Sequence, residues 1–264
     1  MTALSTKDRQ GLLIIAVVLL VLAILIGYNF TLSSRPKPDG RNCVAPIVKR
    51  TVFVIDQSDT IAAQTSTEIL RRIRDIVSTG VAANELVTIF QITDGSRTHL
   101  EPIFSKCKPA SDGNELTENV RMIQKRFVQE FEKPLEAALL TPSPKSKSSP
   151  IGEVLIDTSL SEYLRGDTNR LVVFSDFMQN SDNASLYRCG SSQQAIAEFK
   201  DRRAGAVERP SFRNTDVALN FIPREGIGED ALRCRTAFWA WFFGDNEGPS
   251  ASLTTDYLPG GAKM

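Results

Sequence analysis

Histidine is almost missing from this chain; His99 is the only one. A site that needs two imidazoles is therefore excluded, including the H-E-x-x-H zinc proteases. Cysteine is scarce as well. The four residues Cys43, Cys107, Cys189 and Cys234 form no C-x-x-C pair, which leaves zinc-ribbon and thioredoxin-type readings without support. Neither sign of charge is in excess, with 31 Lys and Arg against 31 Asp and Glu. Binding to nucleic acid through charge alone is excluded on that ground. A Ser-His-Asp hydrolase would have to use His99, at a turn before a strand, and no G-x-S-x-G elbow exists. No internal repeat is visible.

What remains is an ordinary foldable composition: 264 residues, 42% hydrophobic and 23% charged. That length accommodates one good-sized domain plus appendages. Residues 11–28 (GLLIIAVVLLVLAILIGY) carry no charge and no proline. As a helix they would rise roughly 27 Å, close to the hydrocarbon thickness of a bilayer. They have no polar face to show to water, and only a weak cleavage site follows, so an uncleaved transmembrane helix is expected. A short tail (1–10) precedes it. Orientation signals conflict. Arg35, Lys37 and Arg41 outnumber Lys7 and Arg9, which would put the C-terminal side inside. An even cysteine count without metal spacing suits an oxidising compartment. The expectation is a bacterial inner-membrane protein with its domain outside the cytoplasm.

Residues 29–46 read as a Pro- and Ser-containing linker. Beyond it, strands and helices alternate. TVFVID (51–56), ELVTIFQI (85–92), HLEPIFSKC (99–107), RLVVFSD (170–176) and DVALNFIP (216–223) read as strands. Helices are expected near 60–79, 115–140, 151–164, 191–203 and 229–243, with Pro134 kinking or breaking the second. The aromatic stripe of the last helix reads as core packing, and Arg71, Arg72 and Arg74 as a solvated face. The tail, 244–264, is polar and expected to be loose. This alternation argues for an α/β sandwich with a mostly parallel sheet. In such sheets ligands collect at the carboxyl ends of the strands, where Asp56 and Asp176 fall.

Asp56-Gln57-Ser58-Asp59-Thr60 joins the first strand to its helix. Its carboxylate and hydroxyl oxygens suit a hard cation such as Mg²⁺, Mn²⁺ or Ca²⁺. The same residues would equally serve as a helix N-cap. Ser148-Ser149-Pro150-Ile151-Gly152-Glu153 places hydroxyls just before another helix, and Ser175-Asp176 ends a different strand.

Together these segments resemble the von Willebrand factor type A family. VFVIDQSDT resembles its Asp-x-Ser-x-Ser/Thr motif, SSPIGEVL its Thr-Pro-x-Gly motif, and RLVVFSDF its third strand-ending Asp. The resemblance covers about 47–243. It implies a three-layer Rossmann-like sandwich with a metal-ion-dependent adhesion site. Ser58 and Thr60 would ligate Mg²⁺ directly, Asp56 and Asp176 directly or through water, and Ser149 would stand in for the family's threonine. An acidic residue from a protein partner would complete the shell. Phe177 follows Asp176 where the family usually has glycine, and five strands are found where six are common. The implied geometry also makes Cys43–Cys107 and Cys189–Cys234 plausible disulfides, with four separate thiols as the alternative.

The function so implied is a membrane-tethered protein-binding module, not an enzyme. The alternatives are a metal-free scaffold and a haloacid-dehalogenase-like phosphatase with Asp56 as nucleophile. The phosphatase would want a second Asp at position 58, which is Ser58, and its downstream acidic pair could only be Glu229-Asp230.

Overall fold

A computed structural model of the chain describes residues 6–33, 37–59, 61–93, 96, 100–113, 119–142, 146–244 and 252–259. In the first helix, side chains are described at 11 and 13–27. The chain divides into two compact units, Met1–Pro38 and Asp39–Met264.

The first unit is one helix, α1 (Thr6–Ser33). Its described side chains from Leu13 to Ile26 are exposed and almost all apolar. They cover about 21 Å of rise. Among the described residues no helix is long and apolar enough to cross a membrane.

The second unit is built on a six-stranded sheet in the order β3-β2-β1-β4-β5-β6. The strands are β1 (Lys49–Asp56), β2 (Leu86–Ile92), β3 (Phe104–Cys107), β4 (Thr168–Ser175), β5 (Thr215–Phe221) and β6 (Leu253–Tyr257). Only the β2–β3 pair is antiparallel. Strand side chains alternate between faces, so an apolar run must be buried on both sides. Val52, Val54, Leu171 and Val173 pack on one face with α5 (Ile151–Leu160), α6 (Ser192–Arg202) and α7 (Glu229–Phe243). Phe53, Ile55, Val172 and Phe174 pack on the other with α2 (Ala63–Asp75) and the helical run made of α3 (Val120–Phe127) and α4 (Lys133–Leu140). The result is a three-layer α/β sandwich that fits a Rossmann-like fold. The aromatic stripe of α7 is core: Phe238, Trp239, Phe242 and Phe243 are all buried.

Three local differences from the sequence reading have physical causes. The helix expected over 115–140 is divided, and Pro134 stands in the first turn of α4. A wider π turn over Val128–Glu132 precedes it. The Glu130 carbonyl, for which Pro134 has no N–H to donate, accepts from Lys106 Nζ at 3.1 Å. The loose tail contains a sixth strand. Its sequence LTTDY shows no buried face, because β6 is an exposed edge strand held by backbone pairing to β5. Tyr257 stacks on Phe221 at 5.0 Å, and Thr65 Oγ1 donates to the Pro259 carbonyl at 2.9 Å. Third, the strand expected over 99–107 forms only at Phe104–Cys107; His99 lies outside the described residues.

The arginines of α2 are tied down. Arg71 meets Glu68 and Asp75, and Arg74 meets Glu136. Arg72 bridges Glu68 to Asp256 of β6 and donates to Asn220. Buried Lys108 closes the end of the α2 run. Its Nζ donates to the carbonyls of Val77, Ser78 and Val81 at 2.8, 3.1 and 2.8 Å, and burial lowers its pKa.

Both disulfides are present, Cys43–Cys107 and Cys189–Cys234. The first staples the segment before β1 to the edge strand β3, across a sequence separation of 64 residues. Closing a loop of that size restricts the unfolded chain. Replacing both Cys43 and Cys107 by Ala is expected to lower stability by about 2–4 kcal/mol, measured as the shift of the urea unfolding midpoint at constant slope.

Candidate functional site

Leaving β1, the chain moves outward to β2; leaving β4, it moves the other way to β5. The strand order therefore reverses between β1 and β4, and a crevice opens at their carboxyl ends. The strands run in register there, Ile55 beside Phe174. The residues that follow them, Asp56 and Ser175-Asp176, reach the edge together.

Asp56 is buried, with 5% of its surface exposed. A bare carboxylate there would be costly, and three donors satisfy it. Oδ2 accepts from Ser149 Oγ at 2.9 Å and from Ser175 Oγ at 2.8 Å. Oδ1 accepts from the Ser58 backbone N–H at 3.1 Å. Residues 93 and 119 positions further along the chain thus meet one carboxylate.

Ser149 is brought in by a small bridge, its N–H donating to the Asn180 carbonyl at 2.7 Å and Asn180 N–H returning the bond at 3.0 Å. Helix α5 starts directly after it. Gly152 in its first turn lets α5 lie close to α6: a Cβ there would stand 3.1 Å from the Phe199 ring. Its N–H donates to Gln179 Oε1 at 2.8 Å.

The turn after β4 is pinned from two sides. Ser175 Oγ accepts the Phe177 N–H at 2.8 Å, and Trp239 Nε1 donates to the Phe177 carbonyl at 2.7 Å. Phe177 has φ 58°, the left-handed region that glycine enters most easily. This accounts for the glycine usual at that position in the family the sequence resembles. Phenylalanine there costs about 1–2 kcal/mol of backbone strain. Its complete burial offsets that with about 1.5–3 kcal/mol, the ring lying 4.5 Å from Phe221 and 5.4 Å edge-on to Trp239.

Asp176 is the second buried carboxylate. Oδ1 accepts the Met178 N–H at 2.8 Å, and Oδ2 accepts from Arg224 Nη1 at 2.7 Å. Burial and the negative charge of Asp56 push its carboxyl above the usual range, and the bonds from Met178 and Arg224 pull against that. Arg224 also pairs with Asp59 at 2.6 Å and donates to the Tyr187 hydroxyl. Burial alone would lower the Arg224 pKa, but Asp176, Tyr187 and Asp59 raise it. Burial and the Asp176 charge push the Tyr187 phenol up. Asp56, Ser58, Asp59, Asp176 and Arg224 line a cavity of about 30 Å³, room for one or two waters or a small ion.

Of the five candidate ligands, Asp56, Ser149 and Asp176 meet around this crevice, and Ser58 lines it. Thr60 lies outside the described residues. Among the described residues no group of three or more His, Cys, Asp or Glu stands together as a metal cage. The oxygens on hand are hydroxyl as much as carboxylate. Sequence reasoning missed Arg224, Tyr187 and the role of Ser175. Arg224 had a signal, since it follows the carboxyl end of β5 and so falls at the same sheet edge. Tyr187, in a loop with no pattern of its own, had none.

No protein-family model matches the chain, and no curated protein matches it. Among solved structures it is similar to the ArnB paralog VWA2 from Sulfolobus acidocaldarius, at 10% identity and a TM-score of 0.38, covering 80% of this chain and 42% of that one. It is also similar to the human COPII-coat protein Sec24c, at 10% identity and a TM-score of 0.30, covering 85% of this chain and 30% of that one. The chain thus spans less than half of either. Likeness at this level adds nothing to the site, and the fold description rests on strand order, direction and layering.

Ser175 is the most heavily used hydroxyl of the site, donating to Asp56 while accepting from Phe177. Ser175→Ala is expected to cost about 2–3 kcal/mol, because it leaves a buried N–H unpaired and a carboxylate short of a donor. Ser149→Ala, which removes a single donor, should cost about 1 kcal/mol. Chemical denaturation of the two variants side by side gives the difference.

Proposed function

We propose that this chain is a membrane-tethered binding module of the von Willebrand factor type A kind, without enzymatic activity of its own. In this reading its crevice holds a Mg²⁺-type ion (Mn²⁺ or Ca²⁺ in its place), and the ion receives a carboxylate from a protein partner in an envelope complex. The observation that carries the proposal is the convergence on Asp56 of Ser149 and Ser175 from separate segments, beside the second buried carboxylate Asp176. Carboxylate and hydroxyl oxygens are the donor set of a hard cation. Burial and Asp56 both disfavour the ionised form of Asp176, and bound positive charge would relieve that. Asp56, Ser58, Thr60, Ser149 and Asp176 would hold the ion. The ion would supply a Lewis-acidic attachment point, while the partner's surface would supply the rest of the interface.

The tether is helix α1, within which the apolar run 11–28 lies. Fourteen consecutive side chains with nothing polar to offer water mark a surface meant for lipid or another apolar phase. The two disulfides support a domain outside the cytoplasm, since such bonds persist in oxidising compartments.

Calorimetric titration of the full chain in detergent with Mg²⁺ and Mn²⁺ tests the site. Binding to the wild type, lost in Asp56→Ala and in Asp176→Ala while both stay folded, is the expected result. If folded wild type and Arg224→Gln both bind neither ion, the metal reading fails and a metal-free scaffold takes its place.

A further inference from the structure

Arg224 places a positive charge of the chain's own in the crevice. It leaves the carboxyl end of β5 three residues after Phe221. Its Nη1 lies 2.7 Å from Asp176 Oδ2 and 2.6 Å from Asp59 Oδ2. The guanidinium carbon sits 5.2 Å from the centre of the Tyr187 ring, a cation–π distance, and the Tyr187 hydroxyl accepts from the same Nη1. The other Asp176 oxygen is engaged by the Met178 N–H. Each Asp176 oxygen thus already accepts one bond, Oδ1 from backbone and Oδ2 from a long, flexible side chain. An ion that approached Oδ2 would meet the guanidinium there.

The charges set up a competition. Asp56, Asp59 and Asp176 bring three carboxyl groups to the cavity, and Arg224 brings one guanidinium. Two cations cannot share Asp176 Oδ2 at contact distance without strong repulsion. The loop beyond Arg224 has open space around its glycines. Gly226, two residues on, has φ +78°, and neither it nor Gly228 has any atom within 4 Å of where a Cβ would stand. Tyr187, the third partner, belongs to the segment that the Cys189–Cys234 disulfide ties to α7. The guanidinium is therefore held from a fixed point, while its own segment is anchored by buried Ile222 and open around Gly226 and Gly228.

We propose that Arg224 is a tethered competitor of the divalent ion: it holds Asp176 and Asp59 while the ion is absent, and it must leave Asp176 for the ion to be seated. The proposal rests on the reading of this crevice as a divalent-ion site. It adds that the wild-type site is set to bind weakly, so that ion loading has a threshold written into the chain.

The test is calorimetric titration with Mn²⁺ alone on the full chain in detergent, comparing wild type, Arg224→Gln and Tyr187→Phe. Arg224→Gln removes the competing charge. Tyr187→Phe leaves every charge in place and only loosens the guanidinium. Arg224→Gln should bind Mn²⁺ about tenfold or more tighter than wild type, and Tyr187→Phe should shift the same way by less. Binding by Arg224→Gln with none by wild type also supports the proposal. Folded Arg224→Gln that binds no tighter than wild type overturns it and leaves the metal site standing. Silence from all three proteins overturns both. Should Arg224→Gln not fold, Tyr187→Phe decides, and an affinity equal to wild type overturns the proposal.

Discussion

The carboxylate of Asp56 is the point on which the edge of this molecule depends. It sits at the end of the central strand, buried, where an unpaired charge would be far too costly to keep. Its survival requires donors, and the fold brings them from the start of α5 and the end of β4. Each donor is in turn fixed by a second bond. Ser149 is fixed by the bridge to Asn180, and Ser175 by the N–H of Phe177. The sheet can place these segments side by side because β1 and β4 are parallel neighbours that leave in opposite directions. A buried charge and a topological reversal thus define the same place.

Around that carboxylate the acidic groups outnumber the basic one. Asp176 is buried within reach of Asp56's charge. Arg224 answers part of it from outside the strands, through a loop with little packing around its glycines. The remainder of the unit is assembled for rigidity. Aromatic residues of α7 fill one layer, Lys108 closes the α2 run with three carbonyl bonds, and two disulfides tie the segment before β1 to β3 and the segment before α6 to α7. The one guanidinium at the crevice stands against that tightly bonded framework.

Much of the fold was legible because its strands are buried on both faces. A run such as VFVI or LVVF suits a strand buried on both faces, and its alternation with helical stretches points to a parallel sheet. Strand β6 was not legible for the opposite reason. An edge strand exposed on both faces needs no apolar side chain, so its composition is that of a loop. At Pro134 the local rule says only that a carbonyl loses its helical donor; that Lys106 of β3 satisfies it is decided by the fold. At the site, Asp56, Ser149 and Asp176 were legible as oxygen donors next to strand ends or helix starts. Tyr187 was not, because only packing carries its loop to the crevice.

The sequence by itself determined the layers, since burial of β-branched runs and helical periodicity leave few other arrangements. It also determined which oxygen-bearing residues stand at the strand ends, because those positions follow from where the apolar runs stop. Only the tertiary structure decided that Asp56 collects two hydroxyls, that Cys43 pairs with Cys107 and Cys189 with Cys234, and that an arginine shares the crevice with three carboxylates. Those are contacts between segments tens to more than a hundred residues apart, and pairwise chemistry at such range is set by three-dimensional packing, which no local pattern encodes.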